Sequence, residues 1–70
     1  MTVDAASAPE LSDRQRRVAE LVAEGRSNRE IAARLDVSVS AVKAELRCVF
    51  AVWGVSERTQ VAAIVGRLSA

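Results

Sequence analysis

SNREIAARLDVSVSAV, residues 27–42, is the stretch of sequence that decides the fold, because it encodes two short helices joined by a tight turn. Ser27 and Glu30 have the spacing of a capping box, which begins a helix. Asp36 tolerates the left-handed backbone of a turn, and Ser38 can cap the next helix. The stretch therefore predicts a helix-turn-helix, whose second helix is shaped to enter the major groove of DNA.

Further helices are predicted on both sides of this stretch. Before it, Ser12 and Gln15 also have capping-box spacing, and Gly25 follows an apolar stripe as a C-terminal stop. After it, Gly54 ends the third helix and Ser56 caps a fourth. The expected helices cover residues 13–24, 28–35 and 39–53, followed by the helix after Ser56. Because the connections are short, we expect an all-α fold, a four-helix bundle that contains the helix-turn-helix.

Composition narrows the possible functions. The chain has 70 residues, a formal net charge of +1, one cysteine and no histidine. A chain of this length supports one small domain. Without histidine or a second cysteine, it cannot form an internal disulfide, a Cys/His zinc cluster or a His-dependent catalytic triad. The sequence also has no Gly-rich phosphate loop, so we predict no enzyme, no catalytic residue, no cofactor and no metal site.

The short apolar segments predict that the protein does not insert into a membrane. No apolar run approaches the roughly 20 residues that a membrane-spanning helix needs. Residues 1–10 lack Lys and Arg, do not resemble a secretory signal and are expected to be a flexible tail. The expected location is the cytoplasm.

The third helix has an apolar face and, opposite it, a face of small and basic side chains. Steps of about 100° per residue separate the two sets. The apolar set is Val42, Leu46, Val49 and Trp53. The outer set is Ser40, Ala44, Arg47, Cys48 and Ala51, with Lys43 at its edge. An isolated helix of this kind would simply have one solvated face. In a helix-turn-helix, small side chains beside two cations instead favour close approach to a DNA groove.

The fourth helix has two faces as well. Its apolar set is Val61, Ile64, Val65 and Leu68. Its second set is small and uncharged: Thr59, Ala62, Ala63 and Gly66. A glycine inside a helix costs about 0.5 to 1 kcal/mol relative to alanine. Close packing against a second copy of the chain would explain both features, so we predict a dimer interface on this second set.

Two segments resemble a known family. Residues 11–46, LSDRQRRVAELVAEGRSNREIAARLDVSVSAVKAEL, resemble the first three helices of the DNA-binding domain of LuxR/NarL-type (GerE-like) bacterial transcription regulators. Residues 54–60, GVSERTQ, resemble the start of the family's fourth helix. The resemblance implies a domain over residues 11–70. It further implies a sequence-specific transcription regulator whose third helix lies in the major groove and whose fourth helix forms a homodimer. Region four of a sigma factor shares the first segment and is an alternative.

The resemblance also implies which residues contact double-stranded DNA. The base-reading residues would be Lys43, Ala44 and Arg47. Helix starts and the turn would contact phosphates, and the outer face of the third helix adds one serine to that set: Ser27, Asn28, Arg29, Ser38, Ser40, Arg58 and Thr59. Regulators of this kind commonly carry a sensory domain ahead of the DNA-binding part, so such a domain, or another protein, is an expected further partner.

The chain departs from the family pattern at two places on the third helix. After the lysine the family usually has a polar residue and then histidine, where this chain has Ala44 and Glu45. A carboxylate there would repel DNA unless Lys43 or Arg47 neutralised it. Ala51 and Val52 stand where the family often has a basic pair. The alternative function is therefore a protein-interaction module with weak or no DNA binding, built on the same fold; it would use Val52, Trp53 and the small face of the fourth helix.

Overall fold

The computed structural model describes residues 11–69 and folds them into four helices. They are α1, Asp13–Ala23; α2, Asn28–Leu35; α3, Val39–Trp53; and α4, Arg58–Ser69. The part of the chain that the structure describes contains no strand, so the all-α prediction is confirmed. The end of α1 lies one residue earlier than expected, because Glu24 is its C-cap. The predicted tail, residues 1–10, lies outside the described residues.

Serine side chains cap the first three helices, as predicted. The Ser12 hydroxyl accepts a hydrogen bond from the Gln15 backbone N–H at 3.1 Å, and the Gln15 side chain accepts one from the Ser12 N–H at 3.0 Å. Ser27 and Glu30 form the same reciprocal pair at 3.1 and 2.8 Å. Ser38 accepts from the Ala41 N–H at 3.0 Å. These bonds satisfy backbone donors that the first turn of a helix leaves unpaired.

The start of α4 differs from the prediction that Ser56 caps it. The helix begins at Arg58, and the carbonyl of Glu57 accepts the first helical hydrogen bonds. Oε1 of Gln60 accepts from the backbone N–H groups of Ser56 and Glu57 at 2.9 and 3.0 Å. The Ser56 hydroxyl donates weakly to the same oxygen at 3.5 Å instead of accepting from the helix. A glutamine side chain therefore fixes this helix start, and the predicted serine cap is wrong.

Left-handed residues end α2 and α3. Asp36 is the only non-glycine with a positive φ among the described residues, at 59°, and it is the C-cap of α2. Aspartate tolerates this region because its short polar side chain can bond locally. Gly54 ends α3 with a φ of 68°. Both stops agree with the sequence prediction, and Asp36 lies in the turn between α2 and α3.

The core lies between α1, α3 and α4, with α2 packed against α3. It contains eleven buried apolar residues: Leu11, Val18, Ala19, Leu21, Val22, Ile31, Ala32, Val42, Leu46, Val49 and Val61. The α4 stripe is only partly buried: Val61 is fully enclosed and Val65 packs beside the core, but Leu68 is 73% exposed. Leu68 lies in the last turn of α4, so the helical period continues past the surface that could cover it.

Within residues 11–69, no single helix is long and apolar enough to cross a membrane. The α3 and α4 segments meet the requirement only when they are joined, and they are bent by 65° at the break between them.

Candidate nucleic-acid interface

An open depression lies where four parts of the fold meet: the turn after α1, the start of α2, the first turns of α3 and the start of α4. Its volume is about 660 Å³. Its lining consists of Gly25, Arg26, Ser27, Asn28, Arg29, Glu30, Val39, Lys43 and Arg58. We call it the basic depression. It brings together five residues predicted to contact DNA, namely Ser27, Asn28, Arg29, Lys43 and Arg58.

The basic depression concentrates positive charge in a chain whose net charge is only +1. Four of its lining side chains are cations and one is a carboxylate: Arg26, Arg29, Lys43, Arg58 and Glu30. The Glu30 carboxylate accepts from the Ser27 N–H at 2.8 Å within the capping box. The amino end of α2 adds its own partial positive charge at the same place. A concave surface of this kind attracts phosphate.

The outer face of α3 borders the basic depression, because Lys43 belongs to both. On this face the structure exposes every residue of the predicted outer set: Ser40, Lys43, Ala44, Arg47, Cys48 and Ala51. Among the described residues, neither Lys43 nor Arg47 takes part in an ion pair. Small side chains between two unpaired cations allow a helix backbone to approach base edges closely.

One protein family matches nearly the whole of this arrangement. The family of bacterial regulatory proteins named luxR matches residues 9–65. The chain belongs to the LuxR family. The members of this family carry a helix-turn-helix DNA-binding domain of transcription regulators, and the family is not one of enzymes. No curated protein matches the chain as a relative. The match continues beyond GVSERTQ, which the sigma-factor alternative does not explain.

Arg58 of this LuxR-family domain is already engaged within the fold. Its Nη1 donates to Oδ1 of Asn28 at 2.6 Å, and its Nη2 donates to the carbonyl oxygen of Arg26 at 2.7 Å. The resemblance implied only a phosphate contact for Arg58. The structure shows that its guanidinium also joins the start of α4 to the start of α2. A guanidinium has five N–H donors, so these two bonds leave others for a ligand.

Glu45 does not lie on the outer face of the LuxR-family domain. Its side chain is 24% exposed and turns towards the start of α1. One carboxylate oxygen accepts from Nε2 of Gln15 at 3.3 Å, and the other lies 3.8 Å from Nη1 of Arg14. From the sequence, Lys43 or Arg47 is expected to neutralise the Glu45 carboxylate. In the structure its partners are Gln15 and Arg14 of α1.

The remaining predicted site residues lie outside the basic depression. Ser38 and Thr59 are exposed, at the starts of α3 and α4 respectively. On the predicted dimer face of α4, Thr59, Ala63 and Gly66 are exposed, but Ala62 is half-buried. Ala62 therefore lies at the border between that face and the body of the LuxR-family domain.

Proposed function

We propose that this LuxR-family domain binds double-stranded DNA sequence-specifically, with α3 in the major groove. The observation that carries the proposal is the position of Lys43, which joins the exposed outer face of α3 to the basic depression. A helix in the groove that uses the outer face would bring the basic depression towards the adjoining phosphates. Base contacts and backbone contacts would then come from one continuous surface.

Each proposed contact follows from the chemistry of its side chain. Lys43 and Arg47 are suited to the O6 and N7 acceptors of guanine, and Ala44 to an apolar contact such as a thymine methyl group. Hydroxyl, amide and guanidinium donors would bind phosphate oxygens: Ser27, Asn28, Arg29, Ser38, Ser40, Arg58 and Thr59. Arg58 would do so with the donors that its bonds to Asn28 and Arg26 leave free.

The second part of the proposal is a homodimer formed through α4. Thr59, Ala63 and Gly66 give the exposed side of this helix a small, uncharged surface, and Ala62 lies at its edge. Small side chains let two helices approach closely, and a two-fold dimer would place two copies of α3 on successive major-groove turns. The domain would act in the cytoplasm of a bacterium, where the chromosome lies, alone or joined to a sensory domain.

The protein-interaction alternative would use Val52, Trp53 and the small face of α4, and the first two of these give it little support. Both side chains are only partly exposed and pack against the core. The surface left for a partner at this end of α3 is therefore small, and we keep this function as an outcome of the test.

The test is binding of the full chain to a pool of random duplex DNA at two salt concentrations, followed by sequencing of the retained fraction. Enrichment of a repeated or palindromic sequence is the expected result and gives the half-site spacing. Retention without enrichment contradicts sequence specificity, because phosphate contacts alone are sequence-independent. No retention at either salt concentration contradicts DNA binding and favours the protein-interaction alternative.

A further inference from the structure

The two flanks of α3 carry opposite charges. The flank towards α2 carries Val39 and Lys43, which line the basic depression. The flank towards α1 carries Glu45, with Ala41 and Val52 on the same side of the helix. On its α1 flank, α3 therefore carries a carboxylate, Glu45, and no cation.

A helix in the major groove needs both flanks to tolerate phosphate. The groove is about 12 Å wide, and a helix with its side chains measures about 10 to 12 Å across. Both flanks therefore come close to a phosphate backbone when the helix is inserted. On the α2 flank the Lys43 ammonium would attract phosphate. On the α1 flank an unpaired Glu45 carboxylate would repel it.

Arg14 supplies the missing cation. It lies in the first turn of α1, its Nη1 is 3.8 Å from Oε2 of Glu45, and its side chain is 54% exposed. Gln15 holds the other Glu45 oxygen with a bond of 3.3 Å, and Gln15 is itself fixed by the Ser12 N–H at 3.0 Å. Glu45 is thus an ordered acceptor that keeps one part of the Arg14 guanidinium beside α3, while the rest remains open to solvent.

We propose that Arg14 is a further contact to the DNA backbone, on the α1 flank of α3, and that Glu45 is the residue that positions it. This inference rests on the proposed DNA binding. It gives the departure from the family pattern at Glu45 a role: the carboxylate holds a cation that the third helix itself lacks on this side.

The test measures the affinity of the full chain for a labelled pool of random-sequence duplexes over a series of salt concentrations. Arg14→Ala is compared with Arg17→Ala, which removes the same charge from the same helix but whose ion pair, with Glu20 at 3.3 Å, lies within α1. We expect Arg14→Ala to lower the affinity about fivefold to tenfold near 0.1 M salt, and to reduce the salt slope by about 0.9. Arg14→Lys should restore most of the slope.

The role of Glu45 is tested by repeating the Arg14→Ala measurement in a Glu45→Gln background. Glutamine keeps an oxygen for Gln15 but carries no charge to repel phosphate. We expect a clearly smaller loss of affinity than in the parent chain, because no uncompensated carboxylate remains. Equal losses in the two backgrounds overturn the positioning role.

The outcomes separate this inference from the proposed function. If the chain binds DNA but Arg14→Ala behaves like Arg17→Ala, the Arg14 contact is overturned and the proposed function stands. If the chain does not bind DNA at all, the proposed function fails and this inference fails with it.

Discussion

Nη1 of Arg58 lies 2.6 Å from Oδ1 of Asn28, across 30 residues of sequence. The bond ties the first residue of α4 to the first residue of α2. Because Asn28 begins the helix that lines the basic depression, the bond makes the shape of the proposed phosphate site depend on the position of α4. Any partner that displaces α4 would therefore also alter that site.

We expect Arg58→Ala to lower the free energy of unfolding by about 1 to 2 kcal/mol, since charge-assisted hydrogen bonds to Asn28 and to a backbone carbonyl are lost. Urea denaturation measures the change, and Arg67→Ala, an exposed arginine of the same helix, is the control. In a double-mutant cycle with Asn28→Ala, the two effects should not add. Additive effects would show that the bond does not contribute in solution.

The double variant Lys43→Ala, Arg47→Ala should bind DNA about 10- to 100-fold more weakly, because it removes both exposed cations of the outer face. Its helix content should be unchanged by circular dichroism. Arg16→Ala, Arg17→Ala is the charge-matched control on α1. If both double variants lose the same affinity, the outer face of α3 is not the DNA-contacting surface.

Ala63→Glu should shift the proposed α4 dimer towards monomer, since a carboxylate at a two-fold interface of small residues would meet its own copy. Sedimentation velocity over a concentration series measures the shift. Ala23→Glu, at an exposed position of α1, adds the same charge elsewhere and should leave the profile unchanged. An unaltered profile for Ala63→Glu would count against the α4 interface.

Two glycine substitutions should change stability in opposite directions. Gly54→Ala should destabilise the fold by about 1 kcal/mol, because φ at this position is 68° and a Cβ is strained there. Gly66→Ala should stabilise an isolated chain by about 0.5 to 1 kcal/mol, since a Cβ at this helical site meets nothing within 4 Å. Thermal unfolding at low protein concentration measures both changes.

The same Gly66 variant also tests why a glycine occupies that position. If α4 packs closely against a second copy, Gly66→Ala should weaken the dimer while it stabilises the monomer. A gain in monomer stability with unchanged dimerisation would mean that the glycine is not required by the interface.

The local features of the fold could be predicted from the sequence. Capping boxes at Ser12 and Ser27 join residues three apart, and the left-handed stop at Asp36 depends on one side chain. The periodic pattern also placed Val42 correctly in the core. The same pattern puts Leu68 on the apolar face of α4, yet Leu68 is exposed, because a helical period does not show where the packing surface ends.

The long-range features of the site could not be predicted in the same way. The partners of Glu45 and Arg58 lie 30 to 32 residues away, and their contacts exist only once the helices have packed. Local spacing indicated neither contact. The start of α4 also differs from the prediction, because the Gln60 side chain accepts from the backbone N–H groups of Ser56 and Glu57, and the pattern alone gives no reason to prefer this arrangement to a Ser56 cap.

The serine-capped starts of α1, α2 and α3 should let the chain fold quickly. The first turns of α1, α2 and α3 are each completed by residues only three apart, so each can form before any distant segment arrives. Helical domains rich in such local contacts cross their folding barrier within about microseconds to milliseconds. A newly synthesised copy of this domain should therefore fold almost as soon as α4 leaves the ribosome, and stopped-flow refolding should be complete within the dead time of the instrument.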